Sequence, residues 1–236
     1  MTQTLGRGGS STVYKGEYEN ETVVVKIFRK DREQSFSAEY DALTQLKDVD
    51  GVPKIRCVSP VSESDSFNCH SNALVVSPYG KDLRTDVHRE GASVNGLQLQ
   101  RLVQIVRLAH EKNLEHRDIK PMNVFMTDDN QVLLNDWGSS RTTTESAANW
   151  EGTFGFSVSP KQRRSSFWSG EVCDLVALVR TAYVLVFKES PPTDDEDEAN
   201  DYWNRHIRDG TTWERAMQHA VGKNYEELGK LLFALK

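Results

Sequence analysis

The chain has 236 residues, of which 37% are hydrophobic and 27% are charged, and this composition is typical of a folded globular protein. The formal net charge is −6, and no stripe of Lys and Arg predicts a surface for nucleic acid. No apolar run reaches the ~18 residues of a membrane-spanning helix, so the sequence predicts neither a nucleic-acid partner nor a membrane segment.

The first 80 residues predict strands with one helix. The segment TVVVKIF, Thr22–Phe28, is rich in β-branched and apolar residues and predicts a strand. A shorter strand is predicted at Ser11–Val13, and the polar stretch GEYENE between the two predicts a turn. Two further short strands are predicted at Lys54–Ser59 and Ala73–Val76.

The helix of this part is predicted over Ser35–Leu46. Its four apolar residues follow an i, i+4, i+7, i+10 pattern, which places them on one helix face. They are Phe36, Tyr40, Leu43 and Leu46. Ser35 or Ser37 is in position to cap the first turn.

The rest of the chain predicts mainly helices. Leu97–His110 has the spacing of a long amphipathic helix, and Leu175–Phe187 is so largely apolar that it predicts a helix buried on most sides. Val124–Met126 and Val132–Leu134 flank the polar stretch TDDNQ and predict a hairpin. Two or three helices close the chain, and the last of them includes Tyr225–Leu235.

Residues 194–201 form an acidic run with six acids, whose removal takes the formal net charge from −6 to 0. Such a run is typical of a solvated loop. The alternative is that it attracts a basic substrate or partner through long-range electrostatics. The six acids are Asp194, Asp195, Glu196, Asp197, Glu198 and Asp201.

The three cysteines, Cys57, Cys69 and Cys173, are widely spaced and odd in number. They fit neither a disulfide framework nor a zinc site, and a reducing compartment is the simpler interpretation. The first residues, MTQTLGRGGSST, show no basic start followed by an apolar stretch. We therefore expect an intracellular protein, cytoplasmic or nuclear.

A glycine-rich segment, LGRGGSSTVYKG, spans Leu5–Gly16. Gly6 and Gly8 let backbone N–H groups approach phosphate oxygens, because no side chain stands in the way. Glycine-rich hairpin turns are also common, so this segment alone is compatible with a purely structural turn.

Lys26 lies in the apolar strand segment VVVK, where an ammonium group is costly without a partner. Glu39 follows in the predicted helix and is the candidate partner. A Lys26–Glu39 pair would orient the ammonium group toward phosphates. The alternative places both side chains on surfaces that face solvent.

Two further polar segments are HRDIKPMN, His116–Asn123, and NDWG, in which Asp136 follows an apolar strand. With the glycine-rich segment and VVVK they occur in the order of a Gly-rich loop, V-A-I-K, H-R-D-x-K-x-x-N and D-F-G. The sequence therefore resembles the protein kinase superfamily, clearly over about residues 3–187 and loosely over the remainder.

The resemblance implies an α+β fold with two lobes. The N-lobe, about residues 1–76, would hold a small antiparallel sheet and one helix, and the C-lobe, about residues 82–236, would be larger and mainly helical. A hinge at about residues 77–81 would join them. We expect residues 1–236 to form a single compact kinase domain with no appended regulatory module.

The resemblance also implies roles at the nucleotide. Lys26 would hold the α- and β-phosphates of ATP, and Glu39 would hold Lys26. Asn123 and Asp136 would bind Mg²⁺, since oxygen ligands suit a hard cation.

Adenine and phosphate contacts would come from the sheet and the hinge. By the resemblance, the nucleotide-binding residues are Leu5, Gly6, Gly8, Val13, Val24, Lys26, Ser77 and Tyr79. Pro78 has no backbone N–H, so hydrogen bonds to adenine would come from groups of Ser77 and Tyr79.

At the acceptor end, the resemblance makes Asp118 the group that accepts the proton of the substrate hydroxyl, and Lys120 the group that reaches the transferred phosphate. The form H-R-D-x-K-x-x-N is similar to serine/threonine kinases rather than to tyrosine kinases or small-molecule phosphotransferases. It implies ATP, Mg²⁺ and a protein substrate with a Ser or Thr acceptor, and it is compatible with a monomer.

Arg117 adjoins Asp118, and in kinases such an arginine often pairs with a phosphate on the activation loop. A Ser/Thr-rich run follows Gly138 and holds candidate phosphorylation sites, although such a run is also typical of an ordinary flexible loop. The candidates are Ser139, Ser140, Thr142, Thr143, Thr144 and Ser146.

Three residues depart from the kinase pattern: Ser11 at the third glycine, Trp137 at the aromatic position of D-F-G, and Lys161 at a glutamate that normally pairs with an arginine in a late helix. These departures keep open a pseudokinase, with the same fold acting as a nucleotide-binding or scaffold module. The lysine and both aspartates at their family positions favour an active enzyme.

Asp174 lies at the head of the apolar helix, where a carboxylate must be hydrogen-bonded. It resembles the aspartate that anchors the backbone of the catalytic loop in kinases. The alternative is an ordinary aspartate at a helix start.

Overall fold

A computed structural model of the chain describes residues 3–61, 71–83, 94–143, 152–158, 168–192, 195–208 and 210–235. Some of the residues singled out above lie outside these ranges. They are Cys69, the candidate phosphorylation sites Thr144 and Ser146, the segment 159–161 that contains Lys161, and Asp194.

The N-terminal part folds into a five-stranded antiparallel sheet with the strand order β1-β2-β3-β5-β4. Its strands are β1 (Gln3–Arg7), β2 (Ser11–Tyr18), β3 (Glu21–Phe28), β4 (Lys54–Val61) and β5 (Ser71–Ser77). The predicted strands are confirmed, and each extends further than predicted because backbone pairing continues beyond the residues whose types predict a strand.

The turn between β2 and β3 is tighter than the predicted stretch GEYENE. Tyr18 and Glu21 already pair across the hairpin, so only Glu19 and Asn20 form the loop. Both have positive φ angles, 50° and 63°, as a two-residue hairpin turn requires. The polar residues Gly16 to Tyr18 belong to the strand because strand pairing satisfies their backbone groups whatever their side chains are.

The helix α1 (Glu33–Gln45) is confirmed, but its start and its buried face differ from the prediction. The residue before its first turn is Arg32, which makes no side-chain cap, so neither Ser35 nor Ser37 serves as the cap.

The buried face of α1 carries a carboxylate. Tyr40, predicted on the inner face, is 38% exposed, whereas Glu39, Ala42, Leu43 and Leu46 are buried. These four residues have the i, i+3, i+4, i+7 spacing of one helix face. The predicted buried face is confirmed at Leu43 and Leu46 and was wrong at Tyr40. The buried position next to Tyr40 belongs to Glu39, the expected partner of Lys26.

The C-terminal part is mainly helical. Its helices in the described residues are α2 (Gly96–Glu111), α3 (Gly170–Phe187), α4 (Glu196–His206), α5 (Thr212–Val221) and α6 (Tyr225–Phe233). Short strands complete it: β6 (Lys81–Asp82), β7 (Leu114–Glu115), β8 (Val124–Met126), β9 (Val132–Leu134) and β10 (Arg141–Thr142). They form a three-stranded sheet, β6-β8-β9, and a β10-β7 pair. The two-lobed α+β fold is thereby confirmed.

Helix α3 lies at the centre of this part, since its side chains from Val172 to Leu185 are all buried. It begins five residues before the predicted start because the Ser169 hydroxyl accepts a hydrogen bond from the backbone N–H of Val172 and caps the first turn. Asp174 therefore lies inside the helix rather than at its start.

One hydrophobic core joins the two parts. It runs from Leu43 and Leu74, below the sheet, through Leu134 and Trp137 to Leu175 on α3. This continuous packing fixes α1 against the loops that follow α2. The division of a single domain into lobes at residues 77–81 stays a prediction.

The acidic run was predicted incorrectly as a loop, since most of it forms the first turns of α4. The Asp195 side chain accepts hydrogen bonds from the backbone N–H groups of Asp197 and Glu198, at 2.8 and 2.9 Å. Acids in the first turn interact favourably with the positive end of the helix dipole, so a cluster of like charges is compatible with a helix here.

In the described part of the chain, no helix combines the length and the hydropathy that crossing a bilayer requires.

Asp195→Ala is expected to lower the free energy of unfolding by about 1 kcal/mol, because it removes the N-cap of α4. Asp201→Ala is the matched control, since it removes the same charge from the body of the helix and should stay within about 0.5 kcal/mol of the parent. Urea unfolding of the three proteins measures both changes. Equal losses would contradict the capping role of Asp195.

Candidate active site

Lys26, Glu39 and Asp136 meet at the inner surface of the sheet. The Lys26 side chain is 4% exposed, and its ammonium group contacts the carboxylate of Glu39 on α1. The carboxylate oxygen Oδ1 of Asp136 lies 3.6 Å from the Lys26 nitrogen. The expected Lys26–Glu39 contact is therefore present, and the alternative of two solvent-facing side chains is excluded.

The buried ammonium group is kept charged by its neighbours. Burial acts to lower the pKa of Lys26, but the carboxylates of Glu39 and Asp136 outweigh it and raise the pKa above its usual value. Burial also raises the pKa of Glu39 against the opposing effect of Lys26. We treat the pair as ionised at neutral pH, because the two groups are in direct contact and Lys26 carries a second carboxylate.

Asp136 follows β9 in a left-handed backbone conformation, with φ 63°. Its side chain is 47% exposed and so reaches the cleft. Burial of the group acts to raise the pKa of Asp136, but the positive charge of Lys26 outweighs it and holds the pKa below the usual range. Asp136 is thus a carboxylate at neutral pH.

Trp137 is fully buried beside Asp136. Its indole Nε1 donates a hydrogen bond to the carbonyl of Leu134, at 3.0 Å, and its ring packs against His116 with the centroids 4.5 Å apart. The larger ring is accommodated in the core without moving Asp136 away from Lys26.

A second polar cluster forms around Asp118. The Lys120 ammonium lies 2.7 Å from the Asp118 carboxylate, and the Asn123 side-chain amide donates to the Asp118 backbone carbonyl at 2.8 Å. Thr153 joins the cluster, because its hydroxyl donates to Asp118 Oδ1 and accepts from Lys120, both at 3.0 Å.

Thr153 is a site residue that the sequence reasoning missed. It follows Gly152 in the segment GTFGFSVSPK, which ends at Lys161 and resembles the kinase segment G-T-x-x-Y-x-A-P-E. Its place in that pattern was the available signal. Gly152 has a φ of +137°, a conformation that favours glycine, and a Cβ there would lie 3.0 Å from the Arg117 carbonyl. Glycine therefore lets the chain turn close to the catalytic loop and deliver Thr153.

The two clusters are connected through Asn135. Its backbone N–H donates to the carbonyl of Asn123 at 2.8 Å, and its carbonyl accepts from His116 Nε2 at 3.0 Å. His116 Nδ1 in turn accepts from the backbone N–H of Asp118, at 3.3 Å. These bonds fix the loop that carries Asp118 relative to the loop that carries Asp136.

Asp174 anchors this loop from α3 and is 2% exposed. Its carboxylate accepts from the backbone N–H groups of His116 and Arg117, at 2.6 and 2.8 Å, and from His110 Nε2 at 3.0 Å. The Tyr225 hydroxyl donates to the other His110 nitrogen at 2.7 Å. The geometry supports the anchoring interpretation of Asp174 and excludes the helix-start alternative; His110 and Tyr225 carried no sequence signal.

The expected phosphate-binding residues line up across three strands. Gly6 pairs with Val13, and Val13 pairs with Lys26, so these positions form one row. A Cβ built at Gly6 or Gly9 would meet no protein atom within 4 Å. The space above the β1–β2 turn is therefore open to a ligand, as close approach of phosphates requires.

The other nucleotide-binding candidates lie around this row. Val24 is buried on the Lys26 side of β3 and Ser77 is buried at the end of β5, while Leu5 is partly exposed on β1. The Tyr79 ring lies beneath the Lys15 ammonium, which is 4.7 Å from its centroid. The roles of these residues toward a nucleotide stay predictions.

The donors at Asp136 and Asn123 fit a hard cation. The Nδ2 of Asn123 binds Asp118, and the side-chain oxygen of Asn123 takes no part in these two contacts. Among the described residues no group of three or more His, Cys, Asp or Glu side chains could hold a metal ion alone. This pair suits Mg²⁺, which takes one or two protein ligands together with phosphate oxygens and water.

A groove of about 1240 Å³ opens beside the Asp118 cluster. Its walls are α1 along its whole length with the preceding turn, Leu114, residues 138–142, and Gly152 with Thr153. Asp118 and Lys120 lie in its lining. The groove exceeds the roughly 300–1,000 Å³ of a typical small-molecule pocket.

A sequence model of the family described as "Protein kinase domain" matches residues 1–230. The chain belongs to the protein kinase family. This kinase domain carries the family's polar residues in the arrangement just described, and the superfamily resemblance of the sequence is confirmed.

Its relatives include serine/threonine kinases. "Probable serine/threonine-protein kinase PknB" of Lactococcus lactis is 27% identical over 181 residues, which cover 70% of this chain and 28% of that protein. Serine/threonine-protein kinase PknB of Mycolicibacterium smegmatis is 26% identical over 222 residues, 89% of this chain and 35% of that protein. Wall-associated receptor kinase-like 17 of Arabidopsis thaliana is 28% identical over 186 residues, 70% of this chain and 22% of that protein. The kinase domain spans about a fifth to a third of their lengths.

Asp174→Asn is expected to lower the free energy of unfolding at pH 7 by about 3 kcal/mol, since it removes a buried carboxylate that accepts three hydrogen bonds. Burial raises the pKa of Asp174, but the hydrogen bond and charge of His110 and the contacts of His116 outweigh it and hold the pKa below its ordinary 3.8. A lowered acid pKa stabilises the folded state above the unfolded value and loses that effect as pH falls through the folded pKa.

Denaturant unfolding of both proteins between pH 7 and pH 3 tests this dependence. The difference between wild type and Asp174→Asn should stay constant down to about pH 4 and shrink only below it. A difference that is constant across the whole range, or that shrinks near pH 6, would contradict a lowered pKa at Asp174.

Proposed function

We propose that the chain is an active serine/threonine protein kinase that transfers the γ-phosphate of ATP to a Ser or Thr hydroxyl of a protein. The observation that carries the proposal is the joint contact of Asp118 with Lys120 and Thr153, beside a buried Lys26 that is paired with Glu39 and Asp136. Phosphoryl transfer requires positioning and charge stabilisation more than covalent chemistry, and these contacts supply both.

At the nucleotide end, Lys26 is held by Glu39 with its charge available to the α- and β-phosphates. Asp136 and Asn123 would hold Mg²⁺, which neutralises phosphate charge when it is bound. Gly6 and Gly8 leave room for the phosphates at the β1–β2 turn.

At the acceptor end, Asp118 accepts the proton of the attacking hydroxyl while the oxygen bonds to the γ-phosphorus and ADP leaves. Lys120 lies 2.7 Å from Asp118, so its charge is close to the transferred group. Thr153 holds the Asp118 carboxylate in one orientation, so that the remaining lone pairs of the carboxylate oxygens can accept from the substrate hydroxyl.

The protein acceptor is proposed from the form H-R-D-x-K-x-x-N, and the groove beside Asp118 is larger than a typical small-molecule pocket. We further propose that the protein acts in an intracellular compartment and is active as a monomer, with no nucleic-acid or membrane partner.

The buried position of Trp137 weakens the case for a pseudokinase. An enlarged aromatic residue could have displaced Asp136, but the indole is buried and Asp136 remains near Lys26. Lys161 lies outside the described residues and does not bear on the choice.

Asp118→Asn is expected to reduce phosphate transfer by about 10²- to 10⁴-fold, because it removes the general base. The measurement is transfer of labelled phosphate from Mg-ATP to a basic protein acceptor, with phosphoserine and phosphothreonine analysed. Asp128→Asn is the matched control, since Asp128 is an exposed aspartate that pairs with Lys81 on the surface, and it should retain full activity.

Thermal stabilisation by Mg-ATP separates the two candidate functions. A kinase shows transfer and stabilisation, and Asp136→Asn loses both. Stabilisation of the wild type without transfer to any acceptor would favour the pseudokinase.

Thr153→Ala is expected to lower turnover by about 10- to 100-fold, because the Asp118 carboxylate loses its orienting hydroxyl. Thr153→Ser keeps the hydroxyl and should restore most of the activity. Steady-state rates with saturating ATP test the pair. Equal rates for the Ala and Ser variants would contradict a role of the hydroxyl.

A further inference from the structure

Arg180 is an arginine in the middle of the buried helix α3, and it is 7% exposed. Its guanidinium nitrogen Nη1 donates hydrogen bonds to two consecutive backbone carbonyls, those of Phe156 at 3.1 Å and Ser157 at 2.8 Å. Sequence reasoning had placed this arginine only inside a largely apolar helix.

A guanidinium group is an expensive choice at this place. Among the described residues, no carboxylate forms an ion pair with Arg180, and its Nε has no hydrogen-bond partner. Burial lowers the pKa of Arg180 to about 10, so the group is still charged at neutral pH. An aliphatic residue would fill the same space without this desolvation penalty.

The aromatic ring of Trp203 on α4 compensates part of the penalty, since the guanidinium carbon lies 5.5 Å from its centroid. Trp203 also binds the same loop, because its Nε1 donates to the carbonyl of Gly155 at 2.6 Å. Two side chains, from two different helices, therefore hold three consecutive carbonyls: those of Gly155, Phe156 and Ser157.

The held segment leads directly to Thr153. The backbone N–H groups of Phe156 and Ser157 both donate to the Thr153 carbonyl at 2.9 Å, and the Ser157 hydroxyl donates to it at 3.1 Å. The hydroxyl of Thr153 then donates to the Asp118 carboxylate. A continuous series of hydrogen bonds thus runs from α3 to Asp118.

We propose that Arg180, with Trp203, is a positioning residue that holds residues 153–157 so that Thr153 orients Asp118 toward the acceptor hydroxyl. The proposal rests on the proposed function. It predicts an effect on the acceptor and on turnover but not on ATP, because Lys26, Glu39 and Asp136 make none of these hydrogen bonds.

The first test compares Arg180→Met with Arg107→Met. Both replace an arginine by a flexible apolar residue, but Arg107 lies on the surface of α2, paired with Glu111. Arg180→Met should lower kcat/KM for a protein acceptor by about 10- to 100-fold, as expected for a displacement of about 1 Å at a reacting group. Its KM for ATP should stay unchanged, and Arg107→Met should match the wild type.

Arg180→Lys is the conservative variant, because an ammonium group can still bind a carbonyl of the loop. It should recover part of the lost kcat/KM. An equal rise in KM for ATP in Arg180→Met, or no recovery by lysine, would overturn the positioning role.

The second test combines Arg180→Met with Thr153→Ala. If Arg180 acts through Thr153, the double variant should be no slower than Thr153→Ala alone, because the group being positioned is already absent. Losses that multiply would show that Arg180 supports the enzyme by another route, and the proposal would then be wrong.

The third test does not need activity. Hydrogen exchange of the Phe156 and Ser157 amides, followed by mass spectrometry, should be faster in Arg180→Met than in wild type and unchanged in Arg107→Met. If Arg180→Met does not fold, Trp203→Phe replaces it in this test. Trp203→Phe keeps an aromatic ring but removes the donor to Gly155, and it should raise the exchange rate of the same two amides. Unchanged exchange overturns this proposal, whereas absent phosphate transfer by the wild type overturns only the proposed function.

Discussion

The buried helix α3 is the constraint on which the site depends. A helix surrounded by apolar side chains can hold a polar group only where that group is satisfied by hydrogen bonds. Asp174 meets this condition by binding backbone N–H groups of the loop that carries Asp118. Arg180 meets it in part, since its Nη1 binds carbonyls of the loop that carries Thr153 while its Nε has no partner among the described residues. Asp174 as acceptor and Arg180 as donor lie on the same helix, so together they fix the positions of the two loops relative to each other.

The nucleotide end is governed by charge. Lys26 stands between two carboxylates, Glu39 and Asp136, so the three side chains together carry one negative charge. This net negative charge would repel the phosphates of a nucleotide unless a cation bound with them. The charges of the chain itself therefore support the proposal that Asp136 holds Mg²⁺.

Local patterns in the sequence predicted the strands, the long helices and the polar segments around Asp118 and Asp136. Each of these features is encoded by residues that are neighbours in the sequence. On α1 the contact between Lys26 and Glu39 was expected and is present, but Tyr40 was predicted to be buried and is exposed. An apolar spacing does not show which of two neighbouring residues faces the sheet. The acidic run was assigned to a loop because its charges were counted without the capping bonds of Asp195. In both cases the pattern of residue types does not contain the geometry that decides which residue is buried or which residue caps a helix.

Beside the Lys120–Asp118 ion pair, the proposed acceptor end depends on directional hydrogen bonds, and this explains why Arg180 carried so little sequence signal. A charge pair acts over several ångströms and needs particular residue types, which leave a recognisable motif. The bonds around Thr153 are made largely to backbone carbonyls, which every residue possesses, so many sequences could supply the accepting side. Their strength falls steeply with distance and angle, and the precision of the acceptor site must therefore come from a rigid donor such as Arg180 on a fully packed helix.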